Sequence, residues 1–478
     1  MDDEATPALE GPAWGSQREM NPLETLMWRA ESNPRMRSTV CGLELLDRAP
    51  DWDRLLAAHD WASRLVPRFR QRVVEPPLGL GTPTWVVDGH FDLGYHVRRM
   101  KVPAPGAWSE LLEAAQQFGM TPFDKARSPW EAVLFEGLAD GRAAYLLKLH
   151  HSTSDGMGGI QLLSMLHSRT REHNPNKPQR AEPAAEAPNA VALLLGQAVR
   201  DLRAVPELAR GATGMLRRLA RPQQATRDAI SYATSLRRVL ADPDAPGSPL
   251  LKGRSMSWRY LALDVEFADL RAASKRGDAT LNDAYLAALL AALRLYHEQL
   301  GVPVDAVPIA IPISVRREGH AAGGNQFTGA RLAGPVAIAD PVKRMHAIGE
   351  LVKRARAEPA INGMGLIAPA LARLPGAAVS EFVGSLTASN DLQASNVPGI
   401  REEVYLAGAK IERMYGFGPL PGCACMVTLV THGSTCCVGV NVDPAAVTDI
   451  DRFADCLRAG FEEVLALSDG ARPVELRV

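Results

Sequence analysis

The tract His150-His151-Ser152-Thr153-Ser154-Asp155-Gly156 holds the densest chemistry in the chain. An imidazole that titrates near neutrality is the natural general base for taking a proton from a hydroxyl, amine or thiol. A carboxylate four residues beyond His151, on a turn free of bulky side chains, can sit under that ring or anchor the loop through an arginine. Gly156, Gly158 and Gly159 allow positive φ and let a substrate approach the backbone. Two other readings stand beside acid–base catalysis. The histidines could ligate a metal, although no third ligand follows at a recognisable spacing, or they could cap a strand and order the loop.

The elements around the tract follow from periodicity. Ala143–His150 is nearly all apolar and reads as a buried strand that delivers both histidines at its C-terminal end. Glu131–Glu136 reads as a neighbouring strand, joined through the turn Ala139-Asp140-Gly141. The run Ile160–Leu166 begins a helix, so the tract is a strand–turn–helix junction. Ala107–Phe118, Thr280–Gly301, Pro341–Ala357 and Asp449–Ala466 read as further helices. Tyr260–Val265 and Val307–Val315 read as strands, and Pro308 and Pro312 push the latter toward an edge or a bend.

Bulk properties exclude several classes. With 478 residues the chain should form at least two domains, and 46% hydrophobic with 22% charged residues is the balance of a globular protein. A formal net charge of −1 offers no global attraction to nucleic acid. The start, Met1-Asp2-Asp3-Glu4, is acidic where a secretory signal is basic. The most apolar helical stretch, Ala284–Leu293, ends at Arg294, short of the ~20 residues a bilayer requires. A cytoplasmic location is the expectation. There is no G-x-S-x-G nucleophile elbow, no Walker pattern and no dinucleotide-binding glycine pattern after a strand. His297-Glu298 opens like a zinc-protease signature, but Gly301 stands where its second histidine belongs. Cys423, Cys425, Cys436 and Cys437 cluster without finger or ribbon spacing. They read as small buried residues of a hairpin turning at Thr431–Ser434, and no metal is expected.

Residues 1–19 read as a disordered leader, 20–173 as a first domain, 174–250 as linker and crossover helices, and 251–478 as a second domain. Asn174–Asn189 is Pro-, Ala- and Glu-rich without periodicity. Between Arg200 and Arg238 nine arginines face three carboxylates. That run reads as a solvated crossover helix or as a surface for peripheral contact with a membrane or lipid droplet.

His-His-x-x-x-Asp-Gly resembles the signature of the CoA-dependent acyltransferase superfamily, and four further blocks resemble its bacterial wax ester synthase/diacylglycerol acyltransferase branch. They are Met20-Asn21-Pro22-Leu23-Glu24, the block Pro122–Glu131, Thr280-Leu281-Asn282-Asp283, and Ser395-Asn396-Val397-Pro398-Gly399 with the segments Tyr405–Ala409 and Gly418–Leu420. Ile311–Arg316 and Gly324–Phe327 fit the strand and loop between. The resemblance runs from Met20 to about Leu467. Two departures stand out: Ser128-Pro129-Trp130 replaces the usual Pro-Leu-Trp, and Gln326 stands where a basic residue is common.

The resemblance implies an α/β (α+β) fold of two chloramphenicol-acetyltransferase-like domains, each with a mixed sheet, joined by a helical linker, with the active site at their interface. It implies that His151 is the general base, His150 a packing and positioning residue, and Asp155 a loop anchor paired with an arginine, for which Arg316 is the candidate. Gly156, Trp130, Asn282, Ser314, Arg316 and Asn396 are the implied substrate-facing positions, with Asn396 near the acceptor channel. Asp283 is read as the capping partner of Thr280. The implied reaction moves a long-chain acyl group from acyl-CoA, a co-substrate and not a resident cofactor, to a hydroxyl of a fatty alcohol or diacylglycerol. Two alternatives stand. One is a tailoring acyltransferase of secondary metabolism fed by CoA or a carrier protein. The other is a non-catalytic lipid-droplet protein.

Overall fold

The computed structural model describes residues 17–77, 81–154, 156–174, 177–178, 180–184, 186, 235, 243–314, 327–358, 368, 371–372, 374–387 and 390–478. The first half contributes α1 (Pro22–Ala30), β1 (Thr39–Leu46), α2 (Trp52–Leu65), β2 (Gln71–Val74), β3 (Thr84–Val87), α3 (Leu93–His96), β4 (Val97–Lys101), α4 (Trp108–Met120), β5 (Trp130–Glu136), β6 (Ala143–His150), α5 (Gly156–Leu166) and β7 (His167–Ser168). The second half contributes β8 (Arg259–Glu266), α6 (Phe267–Arg276), α7 (Leu281–Gln299), β9 (Ala306–Ser314), β10 (Phe327–Pro335), α8 (Pro341–Ala357), α9 (Gly376–Thr387) and β11 (Leu392–Val397). After these come β12 (Tyr405–Leu406), β13 (Ala409–Phe417), β14 (Cys425–His432), β15 (Thr435–Val442), α10 (Ile450–Leu465) and β16 (Glu475–Arg477).

Local chemistry sets many of these boundaries. Asn21 caps α1 through the Glu24 N–H while Glu24 reaches back to the Asn21 N–H, with Pro22 pre-setting the first turn. Thr280 and Asp283 form the same reciprocal pair at the start of α7, as the sequence predicts. Asp340 and Asp449 cap α8 and α10. On β6 every residue is buried, so the strand sits inside its sheet as expected.

The two mixed sheets run β4-β5-β6-β1-β13-β12-β7 and β10-β9-β11-β14-β15-β8-β16. The first is not built from the first half alone. β12 and β13 come from beyond residue 400, and β13 pairs antiparallel with β1 from Cys41↔Phe417 to Leu46↔Ile411. The same strand lies across β14 and β15. A Cβ on Gly439 would collide with the Gly416 carbonyl, so the sheets meet backbone to backbone there. Asp264 of β8 fastens the crossing, accepting bonds from Tyr415 Oη at 2.6 Å and Arg413 Nε at 2.9 Å.

Several expectations are corrected. β9 is interior rather than an edge: the Pro308 carbonyl accepts the Asp391 N–H, so its missing N–H also faces β11, and Pro312 points the same way. β9 meets β11 over only two register pairs while it pairs with β10 along its whole length, so the prolines interrupt little. Residues 17–19 are tied to β3, where the Trp85 N–H bonds the Arg18 carbonyl at 2.7 Å; the rest of the expected leader lies outside the described residues. Parts of the linker are pinned on α2, the Trp61 ring N–H donating to the Pro178 carbonyl. The basic run Arg200–Arg238 lies outside the described residues except for Ser235. Among the described residues no helix is long and apolar enough to cross a membrane.

The cysteine hairpin forms with Gly433 at its turn. Cys425 and Cys436 face the second half's core, whereas Cys423 and Cys437 face the core between the sheets, so the four thiols do not converge. Burial pushes the Cys423 and Cys436 thiols up to about 12.

Gly439→Ala should therefore unfold at lower temperature, losing about 2 kcal/mol or more. Calorimetry against Gly433→Ala, where a Cβ meets open space, separates collision from backbone strain; an unchanged melting temperature for Gly439→Ala would contradict the backbone contact.

Candidate active site

His150 is the last residue of β6 and His151 the first of the turn that follows, so the two side chains meet different environments. β6 lies between β1 and β5, with His150 opposite Thr39, and the His150 side chain is wholly buried. Its Nδ1 accepts the Ser152 N–H at 3.1 Å and lies 2.7 Å from Ser152 Oγ. A ring nitrogen that accepts a backbone N–H carries no proton, so the neutral ring holds its proton on Nε2. Nε2 faces Glu31 Oε1 across 3.1 Å, close enough for charge to matter but off the line of a well-formed hydrogen bond. Trp28 and Phe123 meet the ring edge-on, with centroids 5.0 and 6.2 Å away.

Glu31 ties the two histidines together. Its Oε1 accepts the Ser38 N–H at 2.7 Å, and the Ser38 carbonyl accepts the His151 N–H at 2.7 Å. Burial pushes the Glu31 carboxyl up, but the His150 ring, the Ser38 N–H and Lys125 together hold it below its ordinary value. The Thr153 N–H closes the turn on the His150 carbonyl at 2.8 Å, with Ser152, Thr153 and Ser154 buried. His151 remains half-buried at the mouth of this turn. The helix it leads into, α5, begins at Gly156, four residues before the expected start.

Beneath the turn Lys148 is fully buried, 3.4 Å from Glu131 and 4.4 Å over the Phe123 ring. Burial lowers its ammonium pKa against the pull of Glu131. Sequence reasoning singled out neither Lys148 nor Glu31, Ser38, Trp28 and Phe123.

The other expected site residues are dispersed. Trp130 has no exposed surface: its ring N–H donates to the Phe69 carbonyl at 2.8 Å, and His96 stacks on it at 4.5 Å. It is a packing anchor, which removes the basis for counting it among substrate-facing residues. Asn282, in the first turn of α7, lines a groove against α8 of about 550 Å³. Asn396, at the end of β11, lines a second groove with Leu281 and α6. No residue of the histidine tract is among the described residues lining either groove. Ser314 ends β9 opposite Phe327. Asp155 and Arg316 lie outside the described residues, as does their expected pairing.

Two family models match this chain: the wax ester synthase/diacylglycerol acyltransferase catalytic domain over residues 20–285, and the WS/DGAT C-terminal domain over residues 323–464. A Mycobacterium tuberculosis H37Rv protein, named as a presumptive diacylglycerol O-acyltransferase, is 45% identical over 95% of this chain and 93% of its own length. Among solved structures, the wax ester synthase/diacylglycerol acyltransferase of Marinobacter aquaeolei VT8 superposes with a TM-score of 0.63 at 22% identity, covering 93% of this chain and 98% of that one. The first condensation domain of the calcium-dependent antibiotic synthetase superposes at 0.61 and 16% identity, covering 94% and 97%. At those identities the likeness is one of fold.

The lowered Glu31 carboxyl gives a signed pH dependence. Its contribution to stability is present above the carboxyl's ordinary value and is lost as pH falls through the lowered folded value. Melting temperatures from pH 3 to 7 should therefore fall less steeply at the acid end for Glu31→Gln than for the wild type. Parallel acid limbs would show that Glu31 ionisation is not coupled to folding.

Proposed function

This chain belongs to the bacterial wax ester synthase/diacylglycerol acyltransferase family and is an acyltransferase, and from that premise we propose that it moves an acyl group from acyl-CoA to the hydroxyl of a fatty alcohol or diacylglycerol, with His151 as the general base. The observation that carries the assignment is the unequal placing of the two histidines. His150 is sealed, and its Nδ1 lone pair is already used by Ser152. His151 has its backbone fixed on Ser38 and its side chain at a half-buried position in front of a helix N-terminus.

In the proposed reaction the His151 ring takes the acceptor's hydroxyl proton as the oxygen attacks the thioester carbonyl. The tetrahedral oxyanion collapses, the C–S bond breaks, and the imidazolium returns the proton to the CoA thiolate. An ester and free CoA leave, and no covalent acyl-enzyme forms. Glu31, Ser38 and His150 position the base: the Glu31–Ser38 bond holds the residue just before β1, whose carbonyl fixes the His151 backbone. Gly156 leaves the helix entrance without a side chain, which supports a close approach of the thioester.

Mixing the protein with a long-chain acyl-CoA and a long-chain alcohol should release free CoA thiol. His151→Ala should lower kcat by about 10²–10⁴-fold, the usual contribution of a positioned acid–base group. Undiminished turnover by that variant would sink the assignment of the base.

A further inference from the structure

The groove beside Asn396, about 520 Å³, falls in the roughly 300–1,000 Å³ range of small-molecule sites. One wall is a face of α6 on which Phe267, Arg271, Ser274 and Lys275 recur at helical spacing. The opposite wall is the segment from Asn396 to Arg401. That wall is preformed. Gly399 presses on the Thr431 carbonyl so closely that any Cβ would collide, and the Ile400 carbonyl accepts the Gly433 N–H at 3.2 Å. Arg401 is placed by its guanidinium lying 4.5 Å over the Phe267 ring.

The charges are arranged unevenly. Arg276, on the same helix, is paired with Asp469, and nearby Arg472 is paired with Glu266. Arg271, Lys275 and Arg401, which line the groove, have no carboxylate partner among the described residues. Three neighbouring cations without a counter-charge are relieved by a polyanion, and guanidinium groups match phosphate oxygens in two-pronged geometry.

We propose that this groove binds the phosphorylated nucleotide end of CoA. The inference rests on the reading of the chain as an acyl-CoA-dependent transferase, and it moves the groove from the acceptor to the donor. An alcohol or diacylglycerol carries no charge and gains nothing from three cations. Position agrees. The His432 ring, next to Thr431 of the groove, lies 3.0 Å from the Ile411 carbonyl at one end of β13, whereas the histidine turn lies beyond the other end. At ~3.3 Å per residue the separation along the strand is about 25 Å, a span that exceeds the pantetheine arm alone and that CoA approaches only when extended and counted from its nucleotide end.

Calorimetric titration of CoA, dephospho-CoA and pantetheine into the full chain tests this. CoA should bind wild type, bind about tenfold or more weakly to the Arg271→Gln/Lys275→Gln double variant, and bind normally to Arg276→Gln, the charge-matched control outside the groove. Pantetheine, which has no phosphate, should not distinguish the proteins. Equal CoA affinity in wild type and double variant overturns the proposal. So does loss of sedimentation with phosphatidylglycerol vesicles while CoA affinity holds, since that assigns the groove to lipid headgroups. Ester formation from acyl-CoA with an unchanged KM in the double variant removes the groove and leaves the transfer reading standing. CoA binding that depends on the groove, without ester formation from any alcohol, does the reverse.

Discussion

One strand answers to two sheets, and the molecule is organised around that constraint. β13 satisfies its backbone against β1 in the first sheet while its face lies on β14 and β15 of the second. Such an approach leaves no room for a Cβ at Gly439, and it buries Asp264, Tyr415 and the stacked rings of Tyr260 and Phe417 between the sheets. With β13 clamped, β1 is fixed, and β6 beside it is fixed in turn. The histidine turn hangs from the end of β6, so its position relative to the second half follows from backbone geometry and not from a flexible hinge.

At that turn adjacent histidines have opposite fates because the strand ends between them. The buried ring accepts a backbone N–H on one side and faces a carboxylate on the other. The same carboxylate reaches, through Ser38, the backbone of its neighbour. A charge buried near a base normally perturbs it. Here Glu31 has partners of its own, the His150 ring, the Ser38 N–H and Lys125, which together lower its carboxyl.

Much of this was legible in the sequence. Apolar runs and capping residues give β6, α4, α7, α8 and α10 nearly to the residue, because propensity, periodicity and caps agree there. The histidine tract at a strand end was legible for the same reason. Glu31 was not: in Arg29-Ala30-Glu31-Ser32-Asn33-Pro34 it reads as the polar end of a helix, and only the chain's return through β6 brings His150 to it. The placing of β13 in the first sheet was also hidden, since alternation reports which face is buried and says nothing about the partner strand. Trp130 was misread because its place in a recognised block invited a ligand-facing role, whereas its ring N–H needed only the Phe69 carbonyl. The prolines of β9 marked a weak side of the strand, and an interior strand can carry a weak side where its neighbour is short.

The docking of α1 carries a consequence for how the protein is made. Arg29 is buried with its guanidinium donating to the carbonyls of Ala372, Leu374 and Gly81, and β1 lacks one neighbour until Ala409–Phe417 exists. A chain emerging from the ribosome therefore carries its histidine turn for some 260 residues before the supports of that turn are synthesised. Contacts this distant in sequence also slow closure. Until then β1 presents a bare edge, the kind of surface that chaperones shield. Assembly of the site is thus deferred until nearly the whole chain has been translated, and a truncated product would lack the finished site altogether.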